Sequence, residues 1–357
     1  MTGSSDPADP SRRVVLAGSA ALVAGCANRS LAGRSPDLEP VLDLAMADRS
    51  TSVLVSRNGS ILAERYASGW APDRSREVAS VAKSILAVLI AMAVGEGAFS
   101  GLDQPAADFI PAWRNDARAR VSLRHLMSMT SGLDDTGLAL RGIAGDQFAI
   151  NAAAPLRHPP GEQWAYNTAA YHLLFHILER ATGQSVEAWS RPRLFDPLRM
   201  GDTRWTTSRG SGAEGPVTNY YSALSTARDL ARFGELVLGE GAWNGRRLIG
   251  AEMLQTLVSP SQTLNPSYGL LWWSNARPGV DAFGRGPALR FPSAPAGTVA
   301  ALGAGGQLLL VVPSRRLIVV RQGDAPGSQT LADDLLAGVL RRLPGPVQQG
   351  EIAGARS

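Results

Sequence analysis

The chain has 357 residues, of which 45% are hydrophobic and 18% are charged. This composition excludes an intrinsically disordered protein and is sufficient for one large domain, or two closely packed subdomains, with a substantial core. The formal net charge is +4, and the basic residues are scattered arginines with only short pairs, which favours a solvated surface over a nucleic-acid-binding patch. The single cysteine excludes an internal disulfide and a cysteine-rich zinc site.

Residues 1–26 have the pattern of an export signal. Arg12 and Arg13 precede a short apolar run that ends at Val23-Ala24-Gly25-Cys26. Adjacent arginines are typical of a twin-arginine signal, and the last four residues resemble a bacterial lipobox, in which Cys26 would be lipidated. We therefore predict an exported protein of the bacterial cell envelope, anchored to the membrane by a lipid at Cys26, with residues 27–36 as a tether. A plain signal peptide with an unmodified cysteine is the alternative.

The next segment combines a hairpin with a buried helix. An amphipathic pattern predicts a helix over 37–47, and Asn58-Gly59 predicts a hairpin between strands at 51–56 and 61–66. From 78 to 94 nearly every position is apolar, which is typical of a helix buried on all sides. Ser80 would lie near the start of this helix, and Lys83 would lie one turn later on the same face.

The remaining elements complete an α+β pattern. Residues 134–160 are loop-rich or weakly helical, and residues 268–273 are aromatic and strand-like. Further helices are predicted over 123–129, 170–181, 227–239 and within 242–258. The chain then continues with strands over 297–302, 307–312 and 317–321, a helix over 330–343 and a tail over 344–357. We predict an antiparallel sheet built from both chain ends (37–75 and 290–343), with flanking helices and an inserted, mainly helical part (76–289).

Ser80 and Lys83 are the candidate catalytic pair, and Lys83 is the only lysine in the chain. A serine hydroxyl needs a base to become a nucleophile, and no Gly-x-Ser-x-Gly motif points to a Ser-His-Asp triad. Burial would lower the pKa of Lys83 and let its amine take the Ser80 proton, which an always protonated arginine could not do. His172 and His176 have helical metal-ligand spacing, but no glutamate follows His172, so we predict no metal and no cofactor.

A Ser-x-x-Lys motif that opens a buried helix resembles the first motif of the serine β-lactamase and penicillin-binding-protein family. The resemblance covers roughly residues 38–343 and is closest to 6-aminohexanoate-dimer hydrolases and β-lactamase-like esterases. It implies a β-lactamase/transpeptidase-like fold. The other segments that carry it are 123–133, 160–166, 171–174, 182–183, 225–234 and 303–307.

The resemblance also implies roles for individual residues. Ser80 would form a covalent acyl-enzyme, Lys83 would be its base, and Tyr166 would relay protons. The backbone N–H groups of Ser80 and Ala304 would form the oxyanion hole, for which a helix N-terminus is well suited. The implied substrate contacts are Asn167, Thr168 and Gly303.

Two departures from the family pattern bear on the substrate. The Tyr-x-Asn motif appears as Tyr166-Asn167-Thr168, with Asn one position early, so that Thr168 would supply a weaker contact. Ala301-Leu302-Gly303 replaces Lys-Thr-Gly and lacks its cation. This favours neutral carboxylic esters or linear amides, unless Arg290 supplies the charge from elsewhere.

Three functions therefore follow from the sequence, in this order. The first is a serine hydrolase of small-molecule esters or linear amides, and the second is a β-lactamase or D-alanyl-D-alanine carboxypeptidase. The third is a non-catalytic envelope binding protein that retains the fold. Neither the oligomeric state nor the place of three aromatic residues, in an acyl pocket or in the core, follows from the sequence; these residues are Tyr268, Trp272 and Trp273.

Overall fold

Residues 36–136, 143–324, 330–343 and 345 are described by a computed structural model. The helices are α1 (Glu39–Ala47), α2 (Val81–Gly95), α3 (Leu123–Met127), α4 (Gln147–Ala152), α5 (Thr168–Thr182), α6 (Val186–Ser190), α7 (Ala227–Leu238), α8 (Ala251–Val258) and α9 (Leu331–Arg342). The strands are β1 (Ser50–Arg57), β2 (Ser60–Tyr66), β3 (Arg76–Glu77), β4 (Arg204–Gly212), β5 (Gly215–Ser225), β6 (Ala242–Trp243), β7 (Arg246–Arg247), β8 (Trp273–Ser274), β9 (Val299–Gly303), β10 (Gln307–Val312) and β11 (Leu317–Gly323). The export signal, most of the tether and nearly all of the tail predicted above lie outside the described residues.

The larger sheet joins the two ends of the chain. Its strand order is β2-β1-β11-β10-β9-β8, and neighbouring strands are antiparallel. β10 and β11 are buried along their whole length. α1 packs beside α9 and β1, while α7 packs on β10 and β11, so helices cover the centre of the sheet. The predicted α+β fold, with an antiparallel sheet from both chain ends, is confirmed.

α2 is the most buried helix of the described chain. All of its residues from Val81 to Ala93 are buried, and it contacts α5, α8 and β9. A helix with apolar residues on every side requires partners on every side, which this position supplies. Among the described residues, no helix has the length and apolar character needed to cross a bilayer. The predicted core helix with Ser80 at its start is therefore present.

A second sheet was not predicted from the sequence. β4 and β5 form a long hairpin, and β3 pairs with the other edge of β5. β4 consists largely of serine, threonine and glycine, and its burial alternates irregularly, so its strand signal is weak. The sheet matters to the rest of the molecule because β5 lies against the residues that precede α2.

The strand predicted over 268–273 is wrong for most of its length. Only Trp273–Ser274 pairs with the sheet, through β9. Leu271 has a φ of +61°, which is incompatible with an extended strand. The turn at Leu271 separates Trp272 from the residues that enter the sheet.

Candidate active site

Four of the predicted site residues line one cleft of about 840 Å³. They are Ser80, Tyr166, Gly303 and Ala304. The opposite wall is formed by a loop over 279–291 and is largely apolar. Lys83 lies beneath this cleft, in contact with Ser80. The fold thus brings together residues from α2, from the segment before α5 and from β9.

Ser80 occupies the N-cap position of α2, but its hydroxyl forms no capping hydrogen bond. Instead, the Nζ atom of Lys83 donates a hydrogen bond to Ser80 Oγ over 3.1 Å. Lys83 is only 3% exposed. Burial disfavours the charged ammonium and lowers the pKa of Lys83 to about 7. Near neutral pH a large fraction of this amine is therefore unprotonated and able to accept a proton.

Tyr166 provides a second proton-exchanging group at the same hydroxyl. Burial raises the pKa of Tyr166 to about 12, although the nearby Ser80 side chain acts in the opposite direction. Its ring is stacked on Trp273, with centroids 6.1 Å apart and planes 14° apart. Lys83 Nζ lies 5.2 Å from the centroid of the Tyr166 ring and 4.1 Å from that of Tyr171. The Ser80 hydroxyl therefore contacts an amine and a protonated phenol in aromatic surroundings.

β9 approaches the turn before α2 very closely. A Cβ atom on Gly303 would lie 2.4 Å from the Val78 carbonyl oxygen and 3.1 Å from the Ser80 nitrogen, so only glycine fits. Ala79 has a φ of +48°, and its carbonyl accepts a hydrogen bond from Ser222 Oγ of β5 over 2.9 Å. Both sheets therefore fix the backbone at Ser80. The Ser80 N–H has no hydrogen-bond partner among the described residues, as an oxyanion-hole donor requires.

Asn167 is held at the start of α5, and the substrate contact implied by the resemblance stays a prediction. It is the N-cap of α5, where its Oδ1 accepts from the Ala170 N–H over 2.7 Å and its Nδ2 donates to the Leu133 carbonyl over 2.7 Å. The side chain is 3% exposed and does not line the cleft. Thr168 is the first residue of α5, and its N–H donates to Asp135, so it is also absent from the cleft lining. The one-residue shift in the motif places these residues at the helix start.

The two spaced histidines of α5 do not form part of a metal cluster. His176 Nδ1 lies 3.1 Å from Glu179 Oε2. His172 is buried, and burial, followed by the charges of Lys83 and His176, lowers the pKa of His172 to about 3. Within the part of the chain that the structure describes, no group of three or more histidine, cysteine, aspartate or glutamate side chains could hold a metal ion.

The aromatic residues near 270 divide between the core and the cleft. Trp272 is fully buried against Phe233, with ring centroids 5.7 Å apart. Trp273 lines the cleft, and the Arg290 guanidinium lies 5.1 Å from its ring centroid. Arg290 thus reaches the cleft from the loop over 279–291. The lysine of the family's third motif would instead lie on β9, where this chain has Ala301.

Two supporting residues were missed by the sequence analysis. Ser222 lies in the unpredicted hairpin, and nothing in its local sequence distinguishes it. Arg321 lines the cleft although it is 1% exposed. Arg321 could have been identified from the sequence, because it follows the apolar run Leu317–Val320 of a strand. A charge in a buried strand requires hydrogen-bond partners.

Comparison with known proteins agrees with this geometry. The family model described as Beta-lactamase matches residues 42–339. This chain belongs to the β-lactamase family. The penicillin binding protein of Bacillus halodurans has a TM-score of 0.63 at 18% identity, over 86% of this chain and 99% of that one. A penicillin-binding protein homologue from Caulobacter crescentus has a TM-score of 0.65 at 16% identity, over 87% of this chain and 99% of that one.

Curated relatives connect the chain with hydrolases. It is 26% identical to 6-aminohexanoate-dimer hydrolase of Paenarthrobacter ureafaciens over 315 residues, which are 78% of this chain and 75% of that protein. It is 31% identical to esterase EstB of Burkholderia gladioli over 206 residues, which are 48% of this chain and 51% of that protein. The chain is therefore a hydrolase of the β-lactamase family, and the predicted resemblance and fold are confirmed.

The N-cap role of Asn167 can be tested by measuring stability and kinetics together. Asn167→Ala removes the cap and the bond to Leu133, and should lower the free energy of unfolding by about 2 kcal/mol. Thr168→Ala, the matched control, removes only a side chain without a capping role and should cost less than about 0.5 kcal/mol. Urea unfolding measures both values. Unchanged stability with a raised KM in Asn167→Ala would instead support the substrate contact.

Proposed function

We propose that this protein is a serine hydrolase that cleaves carboxylic esters or linear amides through a covalent acyl-enzyme on Ser80. The observation that carries the proposal is the position of the Ser80 hydroxyl. It contacts the buried amine of Lys83 and the phenol of Tyr166, and it faces a cleft large enough for a small molecule. A nucleophile with its base and a separate proton donor is the arrangement that acyl transfer requires.

Each group has one task in the proposed reaction. Unprotonated Lys83 accepts the Ser80 proton while Oγ attacks the substrate carbonyl carbon. The resulting oxyanion accepts hydrogen bonds from the N–H groups of Ser80 and Ala304. Tyr166 donates a proton to the departing alkoxide or amine and is reprotonated from Lys83. Water then attacks the acyl-enzyme while the same groups transfer protons in the reverse order. This step releases the acid and restores Ser80.

Aromatic faces stabilise the charge that this reaction creates. Once Lys83 has accepted a proton, its ammonium lies between the rings of Tyr166 and Tyr171, at 5.2 and 4.1 Å from their centroids. A cation over such faces is stabilised by the ring quadrupole, the more so when it is desolvated. The amine can thus be neutral at rest and still accept a proton during acyl transfer.

The composition of the cleft supports a neutral substrate. The strand position of the family cation is occupied by Ala301, and Leu302 lines the cleft beside it. Apolar side chains of the opposite wall would bind an acyl or alcohol group by removing its surface from water. Two relatives are named as an esterase and as a hydrolase of the 6-aminohexanoate dimer, which supports carboxylic esters and linear amides as the bonds to test.

One observation favours a β-lactamase or carboxypeptidase as the second candidate. Arg290 lies in the cleft over Trp273, and no salt bridge joins it to another described residue. It could therefore pair with a substrate carboxylate. The chain is also 29% identical to penicillin-binding protein 4 of Amycolatopsis lactamdurans over 203 residues. The third candidate, a non-catalytic binding protein, is separated from both enzymes by its lack of a reactive serine.

The export signal, the cell-envelope location and the lipid on Cys26 remain predictions of the sequence. They concern residues outside the described part of the chain. They are compatible with each of the three candidates, because an extracytoplasmic hydrolase and an envelope binding protein would be exported in the same way.

Covalent labelling with a fluorescent fluorophosphonate tests whether Ser80 is reactive. The wild-type protein should be labelled, and Ser80→Ala should lose the label because the bond to phosphorus forms at Oγ. Ser84→Ala is the matched control, since Ser84 lies on the same helix but donates to the Leu271 carbonyl. In-gel fluorescence gives the result. Equal labelling of wild type and Ser80→Ala, or no labelling of either, would contradict the catalytic proposal.

A substrate panel separates the two enzymatic candidates. Short-chain p-nitrophenyl esters should be hydrolysed with a kcat/KM at least tenfold above that for nitrocefin, because the strand cation is missing. Arg290→Gln should leave ester hydrolysis within about twofold, since a neutral ester needs no cation. Strong nitrocefin turnover without ester hydrolysis, lost in Arg290→Gln, would reverse the order of the candidates.

The pH dependence of ester hydrolysis tests Lys83 as the base. Only the unprotonated amine can act, so kcat/KM should rise about tenfold per pH unit below the pKa of about 7 and level off above it. Tyr166, with a pKa of about 12, stays protonated to well above pH 9, so no falling limb should appear there.

Lys83→Arg is the companion variant. It should fold but lose about 10³-fold in kcat, because arginine retains its proton. An active Lys83→Arg enzyme, or a profile that rises steadily towards pH 12, would show that Lys83 is not the base.

A further inference from the structure

A buried arginine lies directly behind the cleft. Arg321, on β11, is 1% exposed, and each of its donor groups contacts an acceptor. Its Nη1 donates to the carbonyl oxygens of Gly305 and Gly306, each over 2.9 Å. Its Nε donates to Ser50 Oγ over 2.8 Å, and its Nη2 donates to the Asp48 carbonyl over 2.7 Å. One guanidinium therefore connects the loop after β9 with the α1–β1 turn.

The loop that Arg321 contacts begins with the proposed oxyanion donor. Ala304 is its first residue, and Gly305 and Gly306 follow with φ values of +77° and +73°. Two consecutive left-handed glycines have wide conformational freedom, so this segment needs outside contacts to keep one shape. Fixing the Gly305 and Gly306 carbonyls fixes the 305–306 and 306–307 peptide planes, since each peptide is planar. Only the 304–305 peptide separates them from the peptide that carries the Ala304 N–H, so the directions open to that N–H are restricted.

We propose that Arg321 is a positioning residue for the oxyanion hole, holding the Ala304–Gly306 loop so that the Ala304 N–H points into the cleft. The proposal rests on the function proposed above and adds a residue that acts through the loop it contacts and not directly on the substrate. Arginine suits this task because its planar fork can donate to several fixed carbonyls at once, which lysine cannot reproduce.

A purely structural role for Arg321 is the competing explanation, because a buried cation also joins β11 to the start of β1. The two roles differ in what they do to the transition state. A structural residue affects stability and all substrates alike, whereas an oxyanion-hole residue affects substrates in proportion to the charge that develops on oxygen. Thionoesters provide the contrast, because sulfur accepts hydrogen bonds more weakly than oxygen.

The experiment compares p-nitrophenyl butyrate with its thiono analogue, in which sulfur replaces the carbonyl oxygen. Arg321→Lys should lower kcat for the oxygen ester about 10- to 100-fold, with KM within about twofold, because the hole is misplaced and not removed. The thionoester should be affected much less. The ratio of kcat/KM for the oxygen ester to kcat/KM for the thionoester should therefore be at least fivefold lower in Arg321→Lys than in the wild type.

Two further variants keep the test decisive. Ser52→Ala removes a buried hydrogen bond from Ser52 Oγ to Gln322 in the same sheet and is the structural control, for which the ratio should not change. Ser50→Ala removes the acceptor of Arg321 Nε, together with the hydrogen bond that Ser50 Oγ donates to the Ala45 carbonyl, and should lower the ratio about two- to threefold. If Arg321→Lys does not fold, Ser50→Ala decides the question alone.

The outcomes separate this proposal from the function on which it rests. An unchanged ratio in a folded Arg321→Lys, or in Ser50→Ala when Arg321→Lys does not fold, overturns the positioning role and leaves the hydrolase proposal intact. A wild-type protein that hydrolyses neither ester and accepts no fluorophosphonate overturns both. Circular dichroism and thermal unfolding establish which variants are folded before the kinetics are measured.

Discussion

The chemistry proposed for this cleft depends on the burial of one amine beside one hydroxyl. Taking an ammonium out of water is costly, and a buried lysine responds by losing its proton at a lower pH. α2 imposes this burial on Lys83, because it is apolar on every side and surrounded by other elements. Ser80 stands at the start of the same helix, where its backbone N–H has no partner within the described parts of the chain and its hydroxyl is not used for capping. A base and a hydroxyl are thus placed together by the same packing that stabilises the core.

A second constraint is the close approach of β9 to the start of α2. The two segments are far apart in sequence, and the sheet built from both chain ends brings them together. The missing side chain of Gly303 permits the contact, Ser222 fixes the turn at Ala79 from one side, and Arg321 contacts the following loop from the other. Rigid support of this kind is what a site needs if donors are to be in place before charge develops.

Local features of the site were predictable from the residues themselves, whereas the distant residues Tyr166, Gly303 and Ala304 were predicted only through the family resemblance. The Ser80–Lys83 spacing and the apolar run of α2 lie in one segment, so pattern and motif identify them together. The role of Asn167 could not be inferred, because whether an asparagine caps a helix or contacts a substrate depends on where the helix begins, and a boundary is uncertain by more than one residue. Trp272 and Trp273 are neighbours in sequence but face the core and the cleft. The partners of Arg321 come from both chain ends and from a loop, and only the folded sheet assembles them.

The substrate class depends on where a positive charge can be held. A cation on β9 would lie on a strand whose position is fixed by Gly303, and its charge would act at short range in a partly desolvated site. Arg290 instead extends from a loop, where it remains exposed and its guanidinium lies over the Trp273 ring. An exposed charge is screened by water and salt, and an ion pair formed there contributes about 1 kcal/mol or less. In the proposed reaction, the cleft therefore retains Ser80, Lys83 and Tyr166 for acyl transfer but attracts a substrate carboxylate less strongly. Substrates without a carboxylate would not be affected by the missing cation on β9.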